Sequence, residues 1–102
     1  MILLSLAFAE PTLTPIVRGV ERVTDIQFHQ GRMVLAHQDG EVSWVDEKGD
    51  VHRWKQVDVQ DGGERGLLGV AFDPDYATNG RVVLSWTERV GEKTLSKVGL
   101  WL

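Results

Sequence analysis
The sequence predicts an all-β fold built from short antiparallel strands, and three observations carry that reading. Valine occurs fourteen times and alanine five times in 102 residues, a bias toward side chains that pack on a pleated surface and away from the best helix formers. Apolar runs of strand length alternate with turn residues along the chain, while apolar positions never recur at helical spacing. The pattern also repeats: Asp25-Ile26-Gln27-Phe28, Gly31-Arg32-Met33-Val34-Leu35 and Glu41-Val42-Ser43-Trp44-Val45 overlay Gly69-Val70-Ala71-Phe72, Gly80-Arg81-Val82-Val83-Leu84 and Lys97-Val98-Gly99-Leu100-Trp101.

Taken in order, Pro11 and Pro15 keep the entry segment extended. Strands are expected at Val23 to His29, Arg32 to Gln38, Glu41 to Asp46, Val51 to Val57, Leu67 to Phe72, Arg81 to Thr87 and Leu95 to Leu102. The intervening Gln30-Gly31, Asp39-Gly40, Glu47 to Asp50 and Asn79-Gly80 suit turns, the Asp-Gly and Asn-Gly pairs because they tolerate positive φ. Consecutive strands should therefore pair as a meander. The offset between the copies grows from 44 residues (Asp25 to Gly69) to 56 (Glu41 to Lys97), and a four-stranded repeat of about 40 to 50 residues is the pattern of a β-propeller blade. A plain β-sandwich is the alternative. The two sheets should pack face to face through Phe28, Val34, Trp44, Leu68, Phe72 and Leu84. The second copy has three strands and stops inside the apolar run Leu100-Trp101-Leu102, so the chain reads as a fragment of a longer protein.

Composition excludes several function classes. Eleven Lys and Arg against fifteen Asp and Glu give a net charge of -4, with the basic residues scattered, so no nucleic-acid footprint exists. The absence of cysteine removes disulfides, thiolate metal sites and a cysteine nucleophile. No stretch approaches the ~18 apolar residues of a membrane span. Met1 to Ala9 is apolar and ends in Ala7-Phe8-Ala9, a small-x-small cleavage pattern, and residues 1–9 read as the remnant of a signal peptide lacking its basic start. That places the protein in the periplasm or outside the cell; an ordinary first strand is the alternative.

Few residues suggest chemistry by themselves. His29, His37 and His52 lack the paired spacing of a zinc site and have no evident orienting carboxylate, which makes them ordinary surface or satisfied histidines. Asp73, Asp75 and Asn79 are oxygen-rich but lack the order of a calcium loop, and Pro74 suits a turn. Trp44, Trp54, Trp86 and Trp101 recur within strands and should pack between sheets. Neither a catalytic residue nor a metal ligand is assigned.

The most distinctive stretch runs from Asp61 through Gly62-Gly63-Glu64-Arg65-Gly66-Leu67-Leu68-Gly69-Val70-Ala71-Phe72-Asp73-Pro74-Asp75-Tyr76 to Asn79-Gly80-Arg81. It closely resembles the soluble pyrroloquinoline-quinone-dependent sugar dehydrogenases, the glucose/sorbosone dehydrogenase family. That family opens a blade with a Gly-Glu/Gln-x-Gly-Leu-Leu-Gly loop, followed by a Phe-x-Pro-Asp-Phe/Tyr turn and an Asn-Gly-Arg strand start. The resemblance implies a six-bladed propeller, with residues 10–102 as its N-terminal part: about two four-stranded blades, the second incomplete.

It further implies oxidation of an aldose at C1, with pyrroloquinoline quinone (PQQ) and calcium as cofactors of the full-length family and an electron acceptor as partner. The family's base, quinone-holding and calcium-holding segments are absent, so this chain alone should hold no cofactor and be inactive. One site position carries over: Glu64 aligns with a substrate-facing glutamine, replacing an amide donor by an acceptor-only carboxylate. On purely structural grounds Glu64 and Arg65 are solvated turn residues, and Leu67, Leu68, Val70 and Phe72 are blade core. The alternative function is a non-catalytic binding or scaffold propeller resembling Hedgehog-interacting proteins.

Overall fold
A computed structural model of the chain describes residues 12–63 and 65–101. The strands form in the expected order: β1 (Val23–His29), β2 (Arg32–His37), β3 (Glu41–Val45), β4 (Val51–Gln56), β5 (Leu67–Phe72), a one-turn helix α1 (Tyr76–Asn79), β6 (Val82–Val90) and β7 (Lys93–Trp101). The last two differ most from the sequence reading. Their antiparallel ladder runs unbroken to Val90↔Lys93 around Gly91, so polar residues that look like a long turn instead prolong a two-stranded ribbon. At the end of α1, Gly80 takes the left-handed conformation and its N–H returns to the Tyr76 carbonyl, closing a one-turn helix where the sequence suggests only a turn.

Two antiparallel meanders result, β1-β2-β3-β4 and β5-β6-β7. Gln30 and Gly31 both have positive φ, 50° and 78°, the type I′ pattern whose twist matches a two-residue hairpin. Between the sheets lies a core of Val34, Ala36, Val42, Leu67, Val70, Val82 and Leu84, ringed by all four tryptophans with Phe72 and Tyr76. Polar links join the two innermost strands. Thr24 donates its hydroxyl to the Leu67 carbonyl at 2.7 Å, and Asp25 Oδ2 accepts the Val70 N–H at 3.0 Å, satisfying an edge donor of β5 that no ladder pairs.

The repeat explains how the sheets stack. Ile26↔Leu35 and Phe28↔Met33 in the first hairpin correspond to Val70↔Leu84 and Phe72↔Val82 in the second. Yet Val70 is 3% exposed where Ile26 is 52% exposed, and Phe72 joins the core while Phe28 is 71% exposed. Equivalent faces therefore do not meet. The second sheet lays its Val70/Phe72 face on the back of the first, whose own equivalent face points away. Such front-to-back stacking is a heterologous contact that can be continued from sheet to sheet; it is the packing of propeller blades, and it rules out a sandwich that joins equivalent faces.

Two expected core residues are thereby corrected. Phe28 lies on the face of the first sheet turned away from the second. Leu68 sits at a bulge, because the register with β6 shifts between Leu67↔Trp86 and Gly69↔Ser85; the extra residue turns outward and is 39% exposed. Val34, Trp44, Phe72 and Leu84 pack as expected.

Candidate functional site
The distinctive glycine-rich stretch forms the connection between the two sheets, and both sheets pin it. Gly66 donates its N–H to Thr87 Oγ1 at 2.7 Å, and the Thr87 N–H returns to the Gly66 carbonyl at 2.9 Å. Thr87 also donates its hydroxyl to the Gln60 carbonyl at 2.6 Å. This buried β6 threonine thus ties both ends of the loop. From the first sheet, Gln38 in the β2–β3 turn donates Nε2 to the Gly63 carbonyl at 2.6 Å and the Arg65 carbonyl at 2.8 Å. The Gln38 carbonyl accepts the Leu67 N–H at 3.1 Å, and its own N–H reaches the Arg22 carbonyl at 2.8 Å.

Gly66 is what allows this approach. Its φ is 137°, and a Cβ there would stand 2.1 Å from the Gln38 carbonyl oxygen. The loop tip closes on itself through Arg65 N–H to the Gly62 carbonyl at 2.9 Å. Arg22, a non-glycine residue at φ 51°, places its guanidinium 3.2 Å from Asp61 and 3.7 Å from Asp39. Both ion pairs are half exposed, so they orient more than they stabilise.

Glu64, the substrate-binding residue expected from the sequence, lies outside the described residues, as does Met1 to Ala9. Its neighbours Gly63 and Arg65 are exposed at the loop tip. Sequence reading missed Gln38, Thr87 and Arg22, and no local signal marks them: a Gln before an Asp-Gly turn and a Thr inside a strand are ordinary, and their contacts are with segments distant in sequence. Among the described residues, no three His, Asp or Glu side chains converge on a point where a metal ion could sit.

The histidines are mostly as expected, with one correction. His37 is buried, its Nδ1 2.9 Å from the Glu21 carbonyl and its Nε2 2.8 Å from Ser43 Oγ. His29 stacks on Phe72 with ring centroids 4.0 Å apart and meets Tyr76 edge-on. Its buried Nε2 has no hydrogen-bond partner among the described residues. His52 does have an orienting carboxylate: Asp46 Oδ2 is 2.7 Å from Nε2, because the β3–β4 hairpin folds the two together. The pair is at the surface, with Trp44 stacked on the His52 ring at 4.5 Å. Asp73 is a turn residue, its Oδ1 accepting the Asp75 N–H at 2.8 Å.

These hydrogen bonds set an acid dependence. Asp46 is held below the ordinary carboxylate range chiefly by the His52 side chain and then by the Asp50 N–H. Asp73 is lowered chiefly by the Asp75 N–H and then by the Asn79 side chain. A carboxylate whose folded pKa is depressed contributes stability above its unfolded value of about 3.9 and loses it as the pH falls through the folded one. Carboxyl-carbon NMR titrations of Asp46 and Asp73 should therefore give midpoints below about 3.9. A midpoint at or above that value for either would refute the hydrogen-bond account.

Comparison with known proteins bears on this arrangement directly. The family model for glucose/sorbosone dehydrogenase matches residues 20–101. The Hedgehog-interacting proteins of Mus musculus and Homo sapiens are each 45% identical to the chain over 38 residues, 37% of this chain and 5% of theirs. Among solved structures, an oxidoreductase of Thermus thermophilus assigned as a glucose dehydrogenase superposes with a TM-score of 0.73 at 26% identity, covering 83% of this chain and 26% of that one. A further glucose dehydrogenase gives 0.78 at 25% identity, with coverage of 88% and 30%. The PQQ-bound aldose sugar dehydrogenase of Streptomyces coelicolor, at 0.71 and 23% identity with coverage of 86% and 27%, shares the fold. The chain thus spans under a third of each of these structures.

Proposed function
Because this chain belongs to the glucose/sorbosone dehydrogenase family, we propose that residues 10–102 are the N-terminal part of a quinone-dependent dehydrogenase that oxidises an aldose at C1. The observation that carries this reading is the family match across both sheets, including the loop that Gln38 and Thr87 hold at one end of the stack. The S. coelicolor fold neighbour is PQQ-bound, which supports the same quinone here. When bound, the quinone would accept the two electrons leaving C1, with an external acceptor downstream.

The described residues do not fit a seat for quinone or calcium. The Arg22 guanidinium is engaged by Asp39 and Asp61, Arg65 is exposed, and no acidic or histidine triad converges among the described residues. The work assigned to this part of the fold is substrate recognition. Glu64 accepts hydrogen bonds from sugar hydroxyls and, unlike a glutamine, donates none. Export to the periplasm or medium is part of the proposal and rests on the Ala7-Phe8-Ala9 pattern.

A second reading is favoured by one observation, the 45% identity to Hedgehog-interacting proteins: a propeller that binds without oxidising sugar. One assay separates the two. The full protein supplied with PQQ and calcium should reduce an artificial electron acceptor in the presence of an aldose, and the 102-residue chain alone should not. No aldose-dependent turnover by the full protein would leave the binding reading. Where that turnover is seen, Glu64→Gln should change kcat/KM for some aldoses by roughly tenfold and others little, since a lost or reversed hydrogen bond to a bound sugar is worth about 1 to 3 kcal/mol. An unchanged ranking would remove Glu64 from the site.

A further inference from the structure
The chain holds one front-to-back junction and presents the two unmatched halves of another. Inside the junction, Val70 and Phe72 of the second sheet share a core with Val34, Val42 and Trp44 on the back of the first. In the repeat those three back-face residues correspond to Val83, Val98 and Leu100. The ladders agree, since Val34 lies opposite Trp44 in one sheet as Val83 lies opposite Leu100 in the other. Val98 is 74% exposed and Leu100 60% exposed, so the back of the second sheet is open. Ile26 and Phe28, the equivalents of Val70 and Phe72, are open on the front of the first. The molecule therefore shows on its outer faces the same two surfaces that it fits together inside. We propose that these faces bind one another between copies, the Ile26/Phe28 face of one chain stacking on the Val98/Leu100 face of the next.

The partner is a second copy of this chain, because the internal junction shows how the two faces fit. Such a contact is heterologous, using different surfaces on the two copies. Stacking does not strand the Ile26 N–H. Its equivalent, the Val70 N–H, is taken by Asp25 Oδ2 from across the junction, whereas Ile26 already donates to Asp25 Oδ1 of its own strand at 2.8 Å. The contact between copies is the weaker of the two. Gly69 stands in the repeat where Asp25 stands and has no carboxylate to reach across, and Leu100 offers less apolar surface than Trp44. No loop joins sheets of separate copies, which removes the millimolar effective concentration that a short linker supplies. Copies therefore associate in concentrated solution and part on dilution, where the Ile26/Phe28 face is open. Nothing in this contact depends on sugar or quinone.

The test reads the mass of the 102-residue chain by sedimentation equilibrium in concentrated and dilute solution. Wild type should exceed the monomer mass when concentrated and return to it on dilution. Phe28→Glu blocks one face and Leu100→Glu the other. Because both side chains are exposed, each variant should unfold in urea as wild type does and stay monomeric. Mixed in equal amounts, the two variants have one intact face each and should form a species of twice the chain mass that grows no further. Val90→Glu, at the exposed tip of the β6–β7 ribbon, should associate as wild type does. Monomeric wild type at every concentration overturns the proposal, and so does association that survives either face substitution. A mixture of folded variants that stays monomeric means that the wild-type contact joins like faces, which overturns the head-to-tail arrangement. Should Leu100→Glu lack an unfolding transition, Val98→Glu takes its place in the mixture.

Discussion
Replacing Gly66 by Ala is expected to destabilise the chain by about 3 to 5 kcal/mol, close to the whole stability of many domains of this size. Two costs add. Its φ of 137° lies where an L side chain is strained, and the new methyl would stand 2.1 Å from the Gln38 oxygen and 2.8 Å from Gln38 Cγ. Relief requires moving one backbone away from the other. That movement breaks the Leu67 N–H to Gln38 carbonyl bond and disturbs the Gly66–Thr87 pair, each worth about 1 kcal/mol, beyond strain of roughly 1 to 3 kcal/mol. Gly69, three residues on, is the comparison: its φ lies outside the left-handed region, and a Cβ there meets nothing closer than Ser85 Cβ at 3.6 Å. Gly69→Ala should change stability by less than about 1 kcal/mol. Urea unfolding of the two variants measures the contrast, and equal midpoints would show that the loop does not depend on the close approach at Gly66.

That contrast also marks how far the sequence is legible. Strand positions are readable because alternating apolar residues between Gly-containing turns leave little else to form, so β1 and β5 match the expected ranges to the residue. Facing is not readable from one strand. Phe28 and Phe72 look alike in sequence, and only the front-to-back stacking, a relation between strands 44 positions apart (Phe28 to Phe72), decides that one is covered. Leu68 misleads for a local reason: a bulge breaks the period of two on which strand facing rests. In the site, the glycine-rich loop stands out by its motif. Its supports do not, because the Gln38 amide and the Thr87 hydroxyl bind carbonyls and an N–H of the loop backbone, groups that every residue carries. The Asp46–His52 pair lies between these cases, six residues apart across a hairpin, and would have been found by pairing the strands before asking what each histidine faces.

The stacking itself predicts the second large effect. Phe72 stacks on His29 at 4.0 Å and lies 5.9 Å from the Trp54 ring and 5.2 Å from the Tyr76 ring, so Phe72→Ala removes the centre of an aromatic cluster. The residue is only partly buried, so the expected cost is about 3 kcal/mol, the lower end for a core phenylalanine. Phe28→Ala removes the equivalent ring from a face where it is 71% exposed, and should cost the 102-residue chain less than about 1 kcal/mol. The difference is not a property of the two residues. They occupy the same position of the repeat, opposite Met33 in one hairpin and Val82 in the other. If front-to-back stacking continues in the full protein, a further sheet covers the Ile26/Phe28 face as the first sheet covers Val70/Phe72. The cost of Phe28→Ala should then rise toward that of Phe72→Ala. Measuring both substitutions by urea unfolding in the 102-residue chain and in the full protein isolates this term. A Phe28 cost that stays small in the full protein would mean that nothing stacks on that face and that the heterologous contact ends with these two sheets.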